Sequence, residues 1–453
     1  MHNHTAVTTD SARAPYRGST IVGRGRSLET DSFLTGLNDN LLVIGPSGAG
    51  KTRHVLKPNL LQTGPSFIVL DTKGTLCADM APALVRAGYT VERLDFAGVC
   101  DRPASLPQGV RNVGYDPLAF IRRNADGGVN QQDVISVASA LCPVENGDEP
   151  FWDHAASNLL TALIAYVVEE LPQEEQTFAA VIELDEHLHD GATFRLLEEL
   201  ELTSPRSLAG STYRRYAATR ESERTNASIV GIIAEKLRCL GFDGALNLYT
   251  APDRVDFARY GHERRALFVT ISDVDRSLDS LTSLFVAQAF GALIREANRC
   301  PGGRLPQPVR LFLDDFANLY IENIDDILAV VRSREIWCTL LLQSVNQLEA
   351  RYGRSRAMSI MGNCDTQLVL GFQDLDTAHC FSERADRMPK TLLEMSPERS
   401  WLFVRGHAAE EIESYHLEEH PRYAELREGE GAGPGREEPE LAPCDLEDPV
   451  LLF

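Results

Sequence analysis

Residues Gly45, Pro46, Ser47, Gly48, Ala49, Gly50, Lys51 and Thr52 fit the spacing G-x-x-x-x-G-K-[ST]. Each residue type has a job in such a segment. The glycines let the backbone wrap round an anion so that successive N–H groups point at phosphate oxygens. Lys51 supplies a cation to the β and γ phosphates, and the Thr52 hydroxyl is a ligand for Mg2+. The apolar run before the segment predicts a strand, and the run after it predicts a helix whose positive end faces the anion.

A magnesium site at such a loop needs an acid at the end of an apolar strand. "FIVLD" ends at Asp71, and "VRLFLDD" ends at Asp314 and Asp315. The second is preferred because it offers two adjacent carboxylates. Asp314 can hold the metal, and Asp315 can orient an attacking water, as in motor-type nucleotide hydrolases. Asp71 is expected to cap its strand and shape the "DTKG" turn. A further apolar run, "LLLQS", ends at Gln343, which can hydrogen-bond the γ phosphate or the water. "VVRSRE" carries Arg332 and Arg334. An arginine offered to a neighbouring subunit's nucleotide would stabilise charge on the γ phosphate, and Arg334 is favoured for this; the alternative is a surface pair with nearby acids.

The elements that must position these residues follow from the pattern of apolar runs. "NLLVIG", "SFIVLD" and "TVERLDF" read as strands separated by helical stretches, the opening of an α/β core with a parallel sheet. Residues 148–242 read as helical. Strand-like runs return at "RALFVTIS", "VRLFLDDF", "WCTLLLQS", "TQLVLGF" and "SWLFVRG". The economical account is one α/β nucleotide-binding domain, residues 19–147 and 243–422, interrupted by an all-α insert at 148–242. Residues 1–18 and the acidic stretch 423–453 are expected to be mostly disordered.

Composition limits the alternatives. The chain has 453 residues and a net charge of −22, which argues against indiscriminate coating of nucleic acid. Residues 407–453 carry 14 acids and three arginines, half of that charge, so a local basic channel remains compatible with the rest. The longest apolar run, "NLLTALIAYVV", is about half of what a membrane helix needs and reads as a buried helix. No secretory leader is legible, so a cytoplasmic location is expected. The nine cysteines include no C-x-x-C spacing, which favours reduced thiols over a disulfide framework or a four-cysteine zinc site.

The ordered set "GPSGAGKTRHVLKPNLL", "FIVLDTKG", "YDPL", "FWDHAASNLLTAL", "ALFVTISDVDRSLDSL", "FLDDFANL", "VRSREIWCTLLLQSVNQLEARYG" and "GNCDTQLVLG" resembles the conjugative coupling proteins. These are the TraG/TraD-type ATPases of type IV secretion systems, and the likeness is nearest to their Gram-positive branch. It spans roughly residues 19–406. It implies a RecA-like core, ATP and Mg2+ as cofactors, and assembly as a homo-oligomeric ring. It further implies recruitment of a relaxase with its single-stranded DNA, or of a protein cargo, for delivery to the secretion channel. The family's metal acid falls on Asp314, its catalytic acid on Asp315 and its sensor on Gln343.

Three departures stand out. Asp315 replaces the family's usual glutamate, one methylene longer, which predicts slow basal hydrolysis. The family's N-terminal membrane segment has no counterpart in the sequence, so the expectation is either a partner that tethers the protein at the inner face of the membrane or a motor that works in the cytoplasm. The stretch from Phe372 to Trp401 is short. Two rival readings are a DNA pump of the FtsK/HerA kind and a nucleotide-gated adaptor with little turnover.

Three other groupings bear on function. "YRRYAATRESER" carries Arg214, Arg215, Arg220 and Arg224 with Tyr213 and Tyr216, a combination that suits a single strand through phosphate contacts and base stacking. The alternative is a solvated helix face. His187 and His189 stand two apart and do not share a helix face, so a metal site there is not expected. Phe151 and Trp152 are expected to seal the junction of insert and core; the alternative is stacking on a base.

Overall fold

The computed structural model describes residues 18–97, 106–143, 150–272 and 275–427. The expected disorder of residues 1–17 and of 428–453 lies outside them. Among the described residues, no helix is long and apolar enough to cross a membrane.

Among the described residues, an antiparallel hairpin comes first, β1 (Ser19–Gly23) with β2 (Arg26–Glu29). The strands that follow form one sheet: β3 (Leu41–Ile44), β4 (Ser66–Asp71), β5 (Thr90–Asp95), β6 (Val110–Asn112), β7 (Arg265–Thr270), β8 (Val309–Leu313), β9 (Ile336–Leu342), β10 (Thr366–Val369), β11 (Arg399–Val404) and β12 (Glu410–Glu413). The order across it is β12-β11-β10-β3-β9-β8-β4-β7-β5-β6. β10 through β6 run parallel; β11 and β12 add an antiparallel edge. This is the expected α/β class with a mainly parallel central sheet.

The central strands are apolar at consecutive positions because both faces are covered. Side chains alternate between two cores. Leu42, Ile44, Ile68, Leu70, Leu311, Leu313, Leu340 and Leu342 enter one core, while Val43, Phe67, Val69, Phe312 and Leu341 enter the other. Two strands carried little apolar signal. β6 is three residues long, and in β12 only Ile412 is buried.

From Pro150 to Thr250 the described structure is helical. Pro150–Glu170 is buried along most of its circumference, from Ala155 to Val168, which explains the apolar run "NLLTALIAYVV". Leu208–Arg220 and Glu223–Leu237 pack on it. Both Glu169 carboxylate oxygens accept backbone N–H groups at the start of the first of these, from Leu208 and Ala209 at 3.0 Å. They satisfy donors that a helix start leaves open.

Asp116 of "YDPL" joins the helical region to the sheet. Its Oδ1 accepts from Leu118 N at 3.0 Å and from Phe178 N at 3.3 Å, and Arg254 Nη1 reaches Oδ2 at 3.3 Å. The side chain is fully buried, and burial pushes its carboxyl up to about 6. Asp116→Ala would orphan buried donors and a cation, so a loss of roughly 2–4 kcal/mol is expected in urea unfolding. A loss below about 1 kcal/mol would show that Asp116 does not hold this junction.

Candidate functional site

β3 delivers the loop. At its end Gly45 N donates to Leu342 O of β9 at 3.1 Å, and Leu370 N after β10 donates to Ile44 O at 2.8 Å. Both flanking strands therefore brace the loop's entry. Gly48 and Gly50 have φ of 81° and 82°, the left-handed region that favours glycine. Gly50 has a second constraint: a Cβ there would stand 2.1 Å from His54 Cδ2. His54 is itself fixed, with Nδ1 2.6 Å from Tyr415 O.

The helix after the loop begins with a wide turn, Lys51–Leu56, in which Lys57 N reaches back to Thr52 O, before Lys57–Leu61 continues as α-helix. Pro58 has no N–H to close on His54 O, so a regular turn is not available there. Asn59, buried on this helix, exchanges hydrogen bonds with both Ile21 N and Ile21 O, tying the β1 hairpin to it.

Lys51 Nζ folds onto the loop, donating to Gly45 O at 2.7 Å and Pro46 O at 3.3 Å. Burial lowers its pKa, and the Asp314 and Asp315 carboxylates oppose that. Thr52 follows, half-buried, while Ser47 at the loop's crest is exposed.

The strand order β3-β9-β8 brings three strand ends side by side. Asp314 and Asp315 leave β8, and Gln343 leaves β9. Asp315 N donates to Asp314 Oδ1 at 3.1 Å, and Gln343 Nε2 donates to Asp315 Oδ1 at 3.2 Å. Asp315 has φ 47° and ψ 42°. A left-handed non-glycine residue is costly and persists where its surroundings hold it. Burial, then the neighbouring Asp315 charge, raises Asp314 to about 6; Lys51 pulls it back. Such a crowded carboxylate pair beside a phosphate loop is a donor set suited to a divalent cation.

Asp71 accepts from Leu76 N at 2.8 Å and Lys73 N at 3.3 Å, shaping the turn after β4 as its position suggested. It also adds to the negative field on Asp314.

Lys51, Asp314, Asp315 and Gln343 thus meet in one place. Arg332 and Arg334 lie at the other end of β9, before Ile336. Arg332 Nη2 donates to Ser32 O at 3.1 Å. Arg334 donates from Nη1 to Val330 O at 2.7 Å and from Nε to Asn298 Oδ1 at 3.2 Å. It is part exposed and bonds to neutral acceptors rather than to Asp325, which takes Arg356 instead.

The basic stretch at 213–224 differs from the base-stacking expectation. Tyr213 and Tyr216 are 1% exposed and pack with Phe194 inside the helical region. Three residues apart on a helix, they share one face, and that face is turned inward. Arg214 pairs with Glu201, and Arg220 lies over the Phe194 ring and bonds Glu198. Arg215 and Arg224 remain exposed.

The aromatic pair also divides. Trp152 lines a cleft between the helical region and helix Asp279–Arg299, whereas Phe151 is 55% exposed and seals nothing. Neighbouring positions on a helix point about 100° apart, so the two rings could not both face the junction. His187 pairs with Asp190 at 3.1 Å. Two positions carried no assigned role in the sequence: His54, and Asn59 beside its proline. The only signal for either was proximity to the loop.

A 363-residue alignment to the conjugal transfer protein TraG of Escherichia coli is 26% identical and covers 76% of this chain and 54% of TraG. Protein VirD4 of Agrobacterium fabrum (strain C58 / ATCC 33970) is 24% identical over 357 residues, covering 76% and 49%. The chain therefore spans about half the length of these curated relatives. In fold it is similar to the plasmid coupling protein TrwB in complex with ADP and Mg2+, with a TM-score of 0.63 at 18% identity, over 89% of this chain and 91% of TrwB. The profile of the family described as Type IV secretory system Conjugative DNA transfer matches residues 4–387, and the chain belongs to that family.

Proposed function

We propose that this protein is an ATP-hydrolysing coupling motor that hands a relaxase with its single-stranded DNA to a type IV secretion channel. One observation carries the reading: Lys51, the Asp314–Asp315 pair and Gln343 converge at neighbouring strand ends in a member of a conjugative DNA-transfer family. The loop from Gly45 to Thr52 would bind the phosphates. Lys51 would exchange its two carbonyl partners for β and γ phosphate oxygens. Thr52 and Asp314 are the residues that would hold magnesium, whose charge neutralises those phosphates when bound.

Asp315 would accept a proton from the attacking water, and Gln343 would leave Asp315 for the γ phosphate. Because the carboxylate of Asp315 is short and already engaged by Gln343, unstimulated turnover is expected to be slow. That same engagement is what favours the second reading, a nucleotide-gated adaptor that recruits cargo with little hydrolysis. Steady-state ATP hydrolysis with and without single-stranded DNA separates the two. Stimulation that vanishes in Lys51→Ala supports the motor. Tight ATP binding with negligible turnover under both conditions supports the adaptor.

In a homo-oligomeric ring, Arg334 would act on a neighbour's nucleotide. Arg334→Ala alone and Lys51→Ala alone should each lose at least ~10-fold in rate. Mixing the two should recover activity, since the Lys51→Ala subunit still offers Arg334 to an intact phosphate loop. No recovery at any mixing ratio would remove the trans role.

A further inference from the structure

Helix Asp279–Arg299 ends beside the turn that follows helix Phe257–Tyr260. There His262, Glu296 and Cys300 each place one ligand atom within 4.8 Å of the others. His262 Nε2 is 2.9 Å from Glu296 Oε1. Cys300 is one helical turn after Glu296, and its N–H still donates to Glu296 O at 3.2 Å, so both side chains leave the same face. His262 comes from a separate element, held by its N–H to Arg259 O at 3.1 Å. Its side chain is 44% exposed, so solvent reaches the cluster.

We propose that His262, Glu296 and Cys300 form a zinc site, with water as the fourth ligand. Imidazole nitrogen, carboxylate oxygen and thiolate sulfur are the three donor types zinc takes, at about 2.0–2.3 Å. Around a tetrahedral ion those bond lengths set donors roughly 3.3–3.6 Å apart, so small side-chain rotations close the triad. Binding releases the Cys300 thiol proton to solvent and leaves the thiolate on the metal. Arg299, now 3.5 Å from Glu296 Oε2, is the competing partner; at 76% exposure it is free to swing into water.

The site bears on the arginine segment through the fold. Asn298, between Glu296 and Cys300, accepts from Arg334 Nε. Gly303 N donates to Cys300 O, and Leu305 N to Arg334 O. A metal there would stiffen the helix end on which Arg334 rests. Zinc binding itself does not depend on the role given to Arg334 or on nucleotide.

The test is a titration of the full chain with Co2+, without nucleotide or magnesium. One equivalent should give visible bands of a tetrahedral ion and a thiolate-to-cobalt charge-transfer band, all removed by Zn2+. Cys300→Ala should lose the charge-transfer band, and His262→Ala should weaken cobalt binding by about 10-fold or more. Both variants should match the parent in circular dichroism and melting temperature with chelator present. Should Cys300→Ala not fold, Cys300→Ser gives the same readout, because a hydroxyl yields no such band. A parent without these bands, or bands that persist without Cys300, would overturn the assignment.

Discussion

Replacing Lys51 with alanine is expected to lower steady-state ATP hydrolysis by about 100-fold or more while leaving the fold intact. The ammonium group is the cation delivered to the site by the loop itself. It faces Asp314 and Asp315, whose charges support its protonated form against burial. Without it, a bound polyphosphate would confront two carboxylates and the nearby Asp71 with less compensating charge. Affinity should fall together with rate, since the same charge serves ground state and transition state. The structural cost is small. Lys51 Nζ gives up hydrogen bonds to Gly45 O and Pro46 O, worth about 1 kcal/mol each. A fluorescent-nucleotide titration, a rate assay and a melting curve check the three parts separately. A variant that retains more than a tenth of the parent rate would remove Lys51 from the chemistry.

How far the sequence alone carried the fold and the site depends on the physical signal each part leaves. The central strands are buried on both faces, so β4, β7, β8 and β9 appear as apolar runs with polar residues at their ends. The phosphate loop announces itself because its left-handed positions, Gly48 and Gly50, favour glycine and fix the spacing. What stayed hidden depends on spatial order. Nothing in the sequence states that β9 lies between β3 and β8, and that order is what sets Gln343 against Asp315. The left-handed backbone of Asp315 is a local compromise that aspartate tolerates without any mark in the sequence. The placement of Tyr213 and Tyr216 was not legible because a basic aromatic stretch looks the same whether its rings face water or Phe194. β12 went unread because an edge strand with one buried residue needs no apolar alternation.

Asp314→Asn should make the nucleotide-free protein more stable at pH 7 and at the same time sharply slow magnesium-dependent hydrolysis. Asp314 is 9% exposed, and its carboxyl is raised to about 6, first by burial and then by Asp315. Its unfolded value is close to 3.8. Between these two values the unfolded chain has released its proton and the folded chain still holds it. Stability therefore falls as pH rises through that window, and the full cost is present above it. At 1.36 kcal/mol per pKa unit the cost is on the order of 3 kcal/mol. Asparagine removes the charge and keeps an oxygen for Asp315 N–H. Lys51 loses an attractive partner, which offsets part of the gain, so about 1–3 kcal/mol remains. Urea unfolding of parent and variant from pH 4 to 7 reads the effect. The difference curve isolates Asp314, because Asp116 and Asp185, also raised to about 6, are present in both. The gain should shrink toward pH 4. In parallel, loss of the acid that would hold magnesium should reduce the rate by about 100-fold. A variant no more stable than the parent at pH 7, or a pH-independent difference, would contradict this. The physical point is that a carboxylate which the empty fold would be better without is accounted for by the cation that the proposed site would take.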